Sequence, residues 1–240
     1  MAKHINAKNK DVLIISDTHF PHHHIDTIPF IRKIKKELNP AIVTHIGDEV
    51  DHHYLSFHNT IAECRGGEDE LKESIIGLHK LYTLWDKMYL LDSNHGSLIF
   101  RRAKANGMSL TYIKSLADIY GVQGWTWHHD IILETKRGPI YLCHGKSSGY
   151  GRLCKELGMS AVQGHFHGKS EITWHRTVVS ERFNMFVGAF ADDNHIAMEY
   201  GKNNLPRTIL GCGYIDKDGN PHLLRMNTVD GRWDKKLTII

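Results

Sequence analysis

Carboxylates, an amide and imidazoles recur in five short segments of this chain: Asp17-Thr18-His19, Gly47-Asp48, Asn94-His95, His144-Gly145 and Gly164-His165-Phe166-His167. Mixed oxygen and imidazole donors suit divalent first-row transition ions, and the set is large enough for two of them. Paired ions of this kind activate water and neutralise charge on a phosphoryl group. Asp17 and His19, two apart after an apolar run, would lie on one side of an extended segment. Asp48 follows Gly47, where the lack of a side chain lets the backbone turn sharply, and a carboxylate there can bridge two ions. Asn94 offers an amide oxygen without charge, while His95, pointing elsewhere, is free for acid or hydrogen-bonding work. His165 and His167 would reach one site as same-side neighbours, with Gly164 clearing space. Each segment alone also suits a solvated loop, an Asx-turn or a core-edge histidine. Their joint occurrence argues for a dinuclear metal site.

Such ligands converge only if the chain brings their segments to one place. Each segment follows an apolar run of strand length: Val12 to Ile15, Ala41 to Ile46, Met88 to Leu91, Ile140 to Cys143 and Met159 to Val162. In an open α/β sheet, sites gather beyond the carboxyl ends of the strands, so ligands distant in sequence can meet there. Ile25, Ile28, Ile31, Ile34 and Leu38 recur at helical spacing before Asn39-Pro40, which predicts a β-α-β unit. A second amphipathic run, Leu71 to Trp85, opens with Glu68, Asp69 and Glu70, where negative charge suits the helix dipole. Beyond Trp125 shorter strands follow, with Lys136-Arg137-Gly138 as a hairpin turn and Asp216 to Asn220 as another, so a second sheet is expected there. The alternating Trp125 and Trp127 read as core packing rather than base stacking.

The chain has 240 residues and a formal net charge of +3, a size at which one α/β domain spanning 1–240 is the expectation. That charge permits a nucleic-acid partner without demanding one. Cys64, Cys143, Cys154 and Cys212 form no Cys-x-x-Cys pair, so free thiols in a reducing compartment are expected. The polar, basic stretch Met1 to Lys10 leads into a strand-length apolar run. It reads as neither signal peptide nor membrane span, which predicts a cytoplasmic protein with no membrane partner.

Taken together, the five segments resemble the calcineurin-like metallophosphoesterase superfamily, with the order of motifs matching over roughly residues 12 to 167. The whole also looks like the compact versions often encoded by bacteriophages. The resemblance implies an α/β fold, a metallophosphoesterase-type β-sandwich flanked by helices, with a dinuclear centre at the strand ends. Carried over by position, Asp17, His19, Asp48 and His167 would hold one ion, and Asp48, Asn94, His144 and His165 the other. His95 would be the catalytic histidine outside the ligand set, and Asp51, the second acid of Gly47-Asp48-Glu49-Val50-Asp51, could orient it. Mixed carboxylate, amide and imidazole ligands suit Mn²⁺, Fe²⁺ or Zn²⁺ better than Mg²⁺ or Ca²⁺, and Mn²⁺ is the expected ion, ahead of Zn²⁺ or Fe.

Two departures bear on the substrate. His52 stands where the protein phosphatases of the superfamily carry a phosphate-gripping arginine, and Ser93 and Gly96 flank Asn94-His95 where many relatives have glycine and an acidic residue. The expected reaction is therefore hydrolysis of a phosphodiester in a nucleotide or nucleic acid, ahead of a phosphomonoester. A protein that binds a partner through its metal face is the alternative of another class. His52, His53 and Arg101 are the candidate substrate contacts, with His58 nearby. Lys146, Arg152 and Lys169 could form a basic rim. His22-His23-His24 cannot all face one ion, and a solvated loop is expected there.

Overall fold

A computed structural model describes residues 2–57, 66–195 and 206–240. Cys64 and His58 lie outside the described residues. In chain order the elements are β1 (Lys3–Asn6), β2 (Val12–Ile15), α1 (Thr27–Leu38), β3 (Ile42–His45), α2 (Gly67–Tyr82), β4 (Met88–Leu91), α3 (Leu98–Ala105), α4 (Leu116–Tyr120), β5 (Trp125–His128), β6 (Ile131–Thr135), β7 (Gly138–Cys143), α5 (Arg152–Leu157), β8 (Ser160–Gln163), β9 (Ser170–Arg176), β10 (Glu181–Val187), β11 (Gly211–Ile215), β12 (Pro221–Arg225), β13 (Thr228–Val229), β14 (Arg232–Trp233) and β15 (Thr238–Ile239).

Two mixed sheets face each other. One runs β15-β12-β11-β2-β3-β4-β5 and the other β1-β6-β7-β8-β10-β9. Within the first, β2 to β5 are parallel neighbours, and within the second β7 and β8 are parallel. Strand β2 shows why its sequence is continuously apolar: Leu13 and Ile15 pack under the helices, while Val12 and Ile14 join the core between the sheets. A strand buried on both faces needs no polar alternation, and burying each such side chain contributes about 1.5–3 kcal/mol. Ile28, Phe30, Ile31 and Ile34 of α1, with Leu78 and Leu81 of α2, cover the outer face of the first sheet. Leu153 and Cys154 of α5 pack against Cys143 and Ala161 on the second. The layers are thus helix, sheet, sheet, helix.

Several expectations shift. Ile25 lies before α1 and is exposed, and Phe30 contributes to its buried face instead. Asn39 ends α1 with φ 43°, donating its N–H to the Lys35 carbonyl; the left-handed cap is a common helix stop. The N-terminal stretch forms β1, which pairs with β6. Only one of its four residues is buried, so its sequence lacks a strand's apolar alternation. The second sheet accepts β1 from before the first, while β11, β12 and β15 return to the first sheet. The metal-type segments therefore sit on the carboxyl ends of strands from two facing sheets rather than one open sheet. Among the described residues no helix is long and apolar enough to cross a membrane.

Candidate metal centre

Side chains from β2, β3 and β4 of one sheet and β7 and β8 of the other meet at one edge of the sandwich. Two donor groups form there: Asp17, His19 and His167 in one, Asp48, His144 and His165 in the other. Asp48 joins them, because its Oδ2 lies 3.7 Å from His19 Nε2 and 3.0 Å from His144 Nε2. Asn94 Oδ1 stands 2.7 Å from His144 Nε2, and His19 Nε2 is 3.3 Å from His167 Nε2. The Asp17 and Asp48 carboxylates are buried, while His165 and Asn94 are exposed.

The backbone that delivers these groups is strained. Asp17, His19, Asp48 and His165 have φ of 50°, 46°, 53° and 68°, a region that costs non-glycine residues on the order of 1–3 kcal/mol each. Neither Asp17-Thr18-His19 nor His165-Phe166-His167 is extended, so same-side alternation is not what gathers their side chains. His165 and His167 accordingly point into different groups. Two glycines make the approach possible. A Cβ on Gly47, at φ +103°, would fall 2.6 Å from His144 Nδ1, and one on Gly164 would fall 1.9 Å from Ser16 Oγ and 2.7 Å from Asp17 Oδ2.

Hydrogen bonds behind the donors set which nitrogen faces inward. His19 Nδ1 donates to Asp51 Oδ1 at 2.7 Å, and His144 Nδ1 donates to the Ile46 carbonyl at 2.9 Å. Each neutral ring then turns an Nε2 lone pair toward carboxylate or amide oxygens. Lone pairs facing one another at 2.7–3.0 Å around His144 call for a cation between them, and this is the test that a divalent metal passes. Without one, a proton takes the place. Burial disfavours a charged His144, yet Asp48 beside it wins and raises the ring to about 10. Burial likewise opposes ionised Asp17 and Asp48, but the surrounding imidazoles hold both well below the usual carboxylate range.

His95 lies beside the two groups and comes close enough to His19 and Asp51 to make a further candidate donor group with them. Its Nδ1 donates to the Asp51 carbonyl at 2.5 Å and its backbone N–H to Asp48 Oδ1 at 3.0 Å. Asp51 thus steers His95 through its main chain, with its carboxylate given to His19. His52 is buried beneath the centre: its Nδ1 donates to the His95 carbonyl at 3.2 Å, and the Tyr120 hydroxyl lies 3.3 Å from its Nε2. Ser93 accepts the backbone N–H groups of Asp48 and Gly96 at 2.9 and 3.1 Å. Its place in a turn-like run gave no sign of that role.

A cleft of about 750 Å³ opens over the centre. His53 and Arg101 line it, as do Lys169 and Arg207; His52, Lys146 and Arg152 do not. Arg152 pairs with Glu156 and Lys146 approaches Asp130. Phe57 and Tyr150 stand half-exposed in the cleft walls, Phe57 under Arg101 and Tyr150 under Lys169. Isolated aromatics in loops carry no periodic signal, so these two escape sequence reading. Trp127 donates its indole N–H to Glu49, a buried carboxyl that burial pushes up to about 7.

No family model matches the chain, and no curated protein does. Solved structures do. Vacuolar protein sorting 29 from Cryptosporidium parvum matches with a TM-score of 0.54 at 13% identity over 96% of this chain and 97% of that one. Vps29 of Chaetomium thermophilum matches with a TM-score of 0.50 at 10% identity over 96% and 95%. An archaeal phosphodiesterase aligns at 0.46 with 17% identity over 90% and 99%. The fold is that of the calcineurin-like metallophosphoesterases.

Proposed function

We propose that the chain is a dinuclear-metal-dependent phosphoesterase that hydrolyses phosphodiester bonds in a nucleotide or nucleic acid. The observation that carries this reading is the pair of donor groups joined through one oxygen of Asp48, with His95 beside them and its Nδ1 committed to the Asp51 carbonyl. Asp17, His19, Asp48 and His167 would hold one ion and Asp48, Asn94, His144 and His165 the other, with Mn²⁺ the preferred metal. Two divalent cations held by these residues would supply Lewis acidity toward a phosphoryl oxygen and lower the pKa of a water.

The chain's own residues do the rest. With Nδ1 committed to the Asp51 carbonyl, His95 turns Nε2 to the cleft, where it can hold a proton for the leaving oxygen. Asp51 and His52 keep the His95 backbone and ring in place, so His52 acts as a positioning residue. Arg101 and Lys169 offset phosphate charge on two sides of the cleft. Beside them Phe57 and Tyr150 give each side an aromatic surface, which suits a phosphate carrying two organic groups. Turnover of bis-aryl and mono-aryl phosphate esters with Mn²⁺ tests this directly: the diester is expected to be the better substrate, and preference for the monoester would favour a phosphomonoesterase.

A second reading has one supporting observation. Two of the similar solved structures are vacuolar protein sorting 29 proteins, and in this reading the chain would bind a partner through its metal face. Absence of turnover on every ester with both ions in place would select that reading.

A further inference from the structure

We propose that His22, Asp51 and Glu70 form a third cation site, buried behind the candidate centre and taking a borderline divalent ion such as Zn²⁺ or Mn²⁺. The histidine run was expected in a solvated loop, but its members part company. His23 packs on Phe20 with ring centroids 4.5 Å apart, and His24 Nε2 lies 3.2 Å from the Gly231 carbonyl. His22 alone turns inward, its side chain 7% exposed against 1% for Asp51 and 5% for Glu70.

The three side chains present one atom each to a common point. His22 Nε2 lies 4.0 Å from Asp51 Oδ2 and 4.0 Å from Glu70 Oε1, and the trio lies within 4.8 Å. These separations are too long for hydrogen bonds. Neither His22 Nε2 nor Asp51 Oδ2 has a hydrogen-bond partner. A buried polar atom without a partner is destabilising, so two that face each other mark a place for a ligand.

Further hydrogen bonds of the same side chains hold them in place. Asp51 Oδ1 accepts from His19. Glu70 reaches back from the first turn of α2 to accept the backbone N–H of His53 at Oε1, 2.6 Å, and that of Tyr54 at Oε2, 3.0 Å, which leaves Oε1 a second lone pair for the ion. His22 Nδ1 faces His195 Nε2 at 3.2 Å. Nitrogen and oxygen ligands sit about 2.0–2.2 Å from such an ion, so donors 4 Å apart need to close by less than about 1 Å. One imidazole and two carboxylates leave positions for water and match a borderline divalent ion.

Asp51 belongs to both places. One oxygen orients His19 and the other would bind the third ion, so occupancy there fixes the support behind a candidate ligand of the main centre. Partners of this kind typically change metal affinity by about 10–100-fold when removed.

Metal content decides the matter. The full chain is stripped with chelator, reloaded with Mn²⁺ or Zn²⁺, freed of excess by gel filtration and analysed for bound metal. Three ions per chain are expected, falling to two in His22→Gln and in Glu70→Gln, with one retained in Asp48→Asn. Two ions in the wild type that neither His22→Gln nor Glu70→Gln reduces would overturn the proposal, leaving a water between these groups. A single ion lost in His22→Gln but kept in Asp48→Asn would support this site and remove the dinuclear reading instead. Anomalous diffraction from wild-type crystals grown with Mn²⁺ gives a check that needs no variant. A peak between His22 and Glu70 is expected, and its absence beside peaks at Asp48 would overturn the proposal.

Discussion

Asp48 Oδ2 is the atom on which the centre turns, because imidazole nitrogens from both sheets approach it at 3.0 and 3.7 Å. Asp48→Asn replaces one carboxylate oxygen with an NH₂ group that has no lone pair for a cation. Metal analysis should show loss of affinity at both places next to Asp48 and turnover should vanish, whereas Cys154→Ser, in the small cluster under α5, should change neither. His95 separates binding from chemistry. Its ring belongs to neither group built around Asp48, so His95→Asn should keep the metals while lowering the rate by about 10² to 10⁴, the range for a lost general acid. A variant that sheds a metal would show that His95 is a ligand.

At the scale of elements, the strand ends supply position and the far end of the chain supplies bracing. Asp26, just before α1, accepts both Nε and Nη2 of Arg232 at 2.8 Å and the backbone N–H of Trp233 at 3.0 Å. This ties α1 to β14, where Trp233 packs edge-on against Phe30. The Arg232 guanidinium holds the Asp26 carboxyl down at about 2, against an ordinary 3.8. A depressed carboxyl contributes stability that is complete above its unfolded value and is lost as pH falls through the folded one. Asp26→Asn should therefore lower Tm near pH 7 by about 2–4 °C, the equivalent of roughly 1 kcal/mol in a chain of this length. The deficit should shrink between about pH 4 and pH 2. A deficit independent of pH across that window would assign the loss to packing instead of charge.

For the molecule as a whole, the net charge is +3, and Arg101, Lys169 and Arg207 line the cleft together with Asp193 and the aspartates of the centre. If the three basic side chains meet three phosphates of a single-stranded oligonucleotide, log affinity should fall with log salt at a slope of about −2. Arg101→Ala should make that slope shallower by about 0.7. Fluorescence anisotropy with a labelled oligonucleotide across a salt series measures both. Recognition insensitive to salt would point to a small nucleotide.

Residue chemistry and strand runs were legible without coordinates. Donor types are properties of single residues, and strands such as β2 and β4 are continuous apolar runs whose ends are marked by the next polar residue. Helix α1 was legible for the same local reason, its apolar spacing and its Asn39-Pro40 stop. What the sequence could not contain is distance. That β1 crosses to the second sheet, that Asp51 gives its carbonyl to His95 and its carboxylate to His19, and that Glu70 is buried against the loop before α2 all depend on contacts between segments far apart in the chain. The left-handed backbone at Asp17, His19, Asp48 and His165 is of the same kind. Local propensity opposes it at each position, and the packing of the two facing sheets overrides that preference.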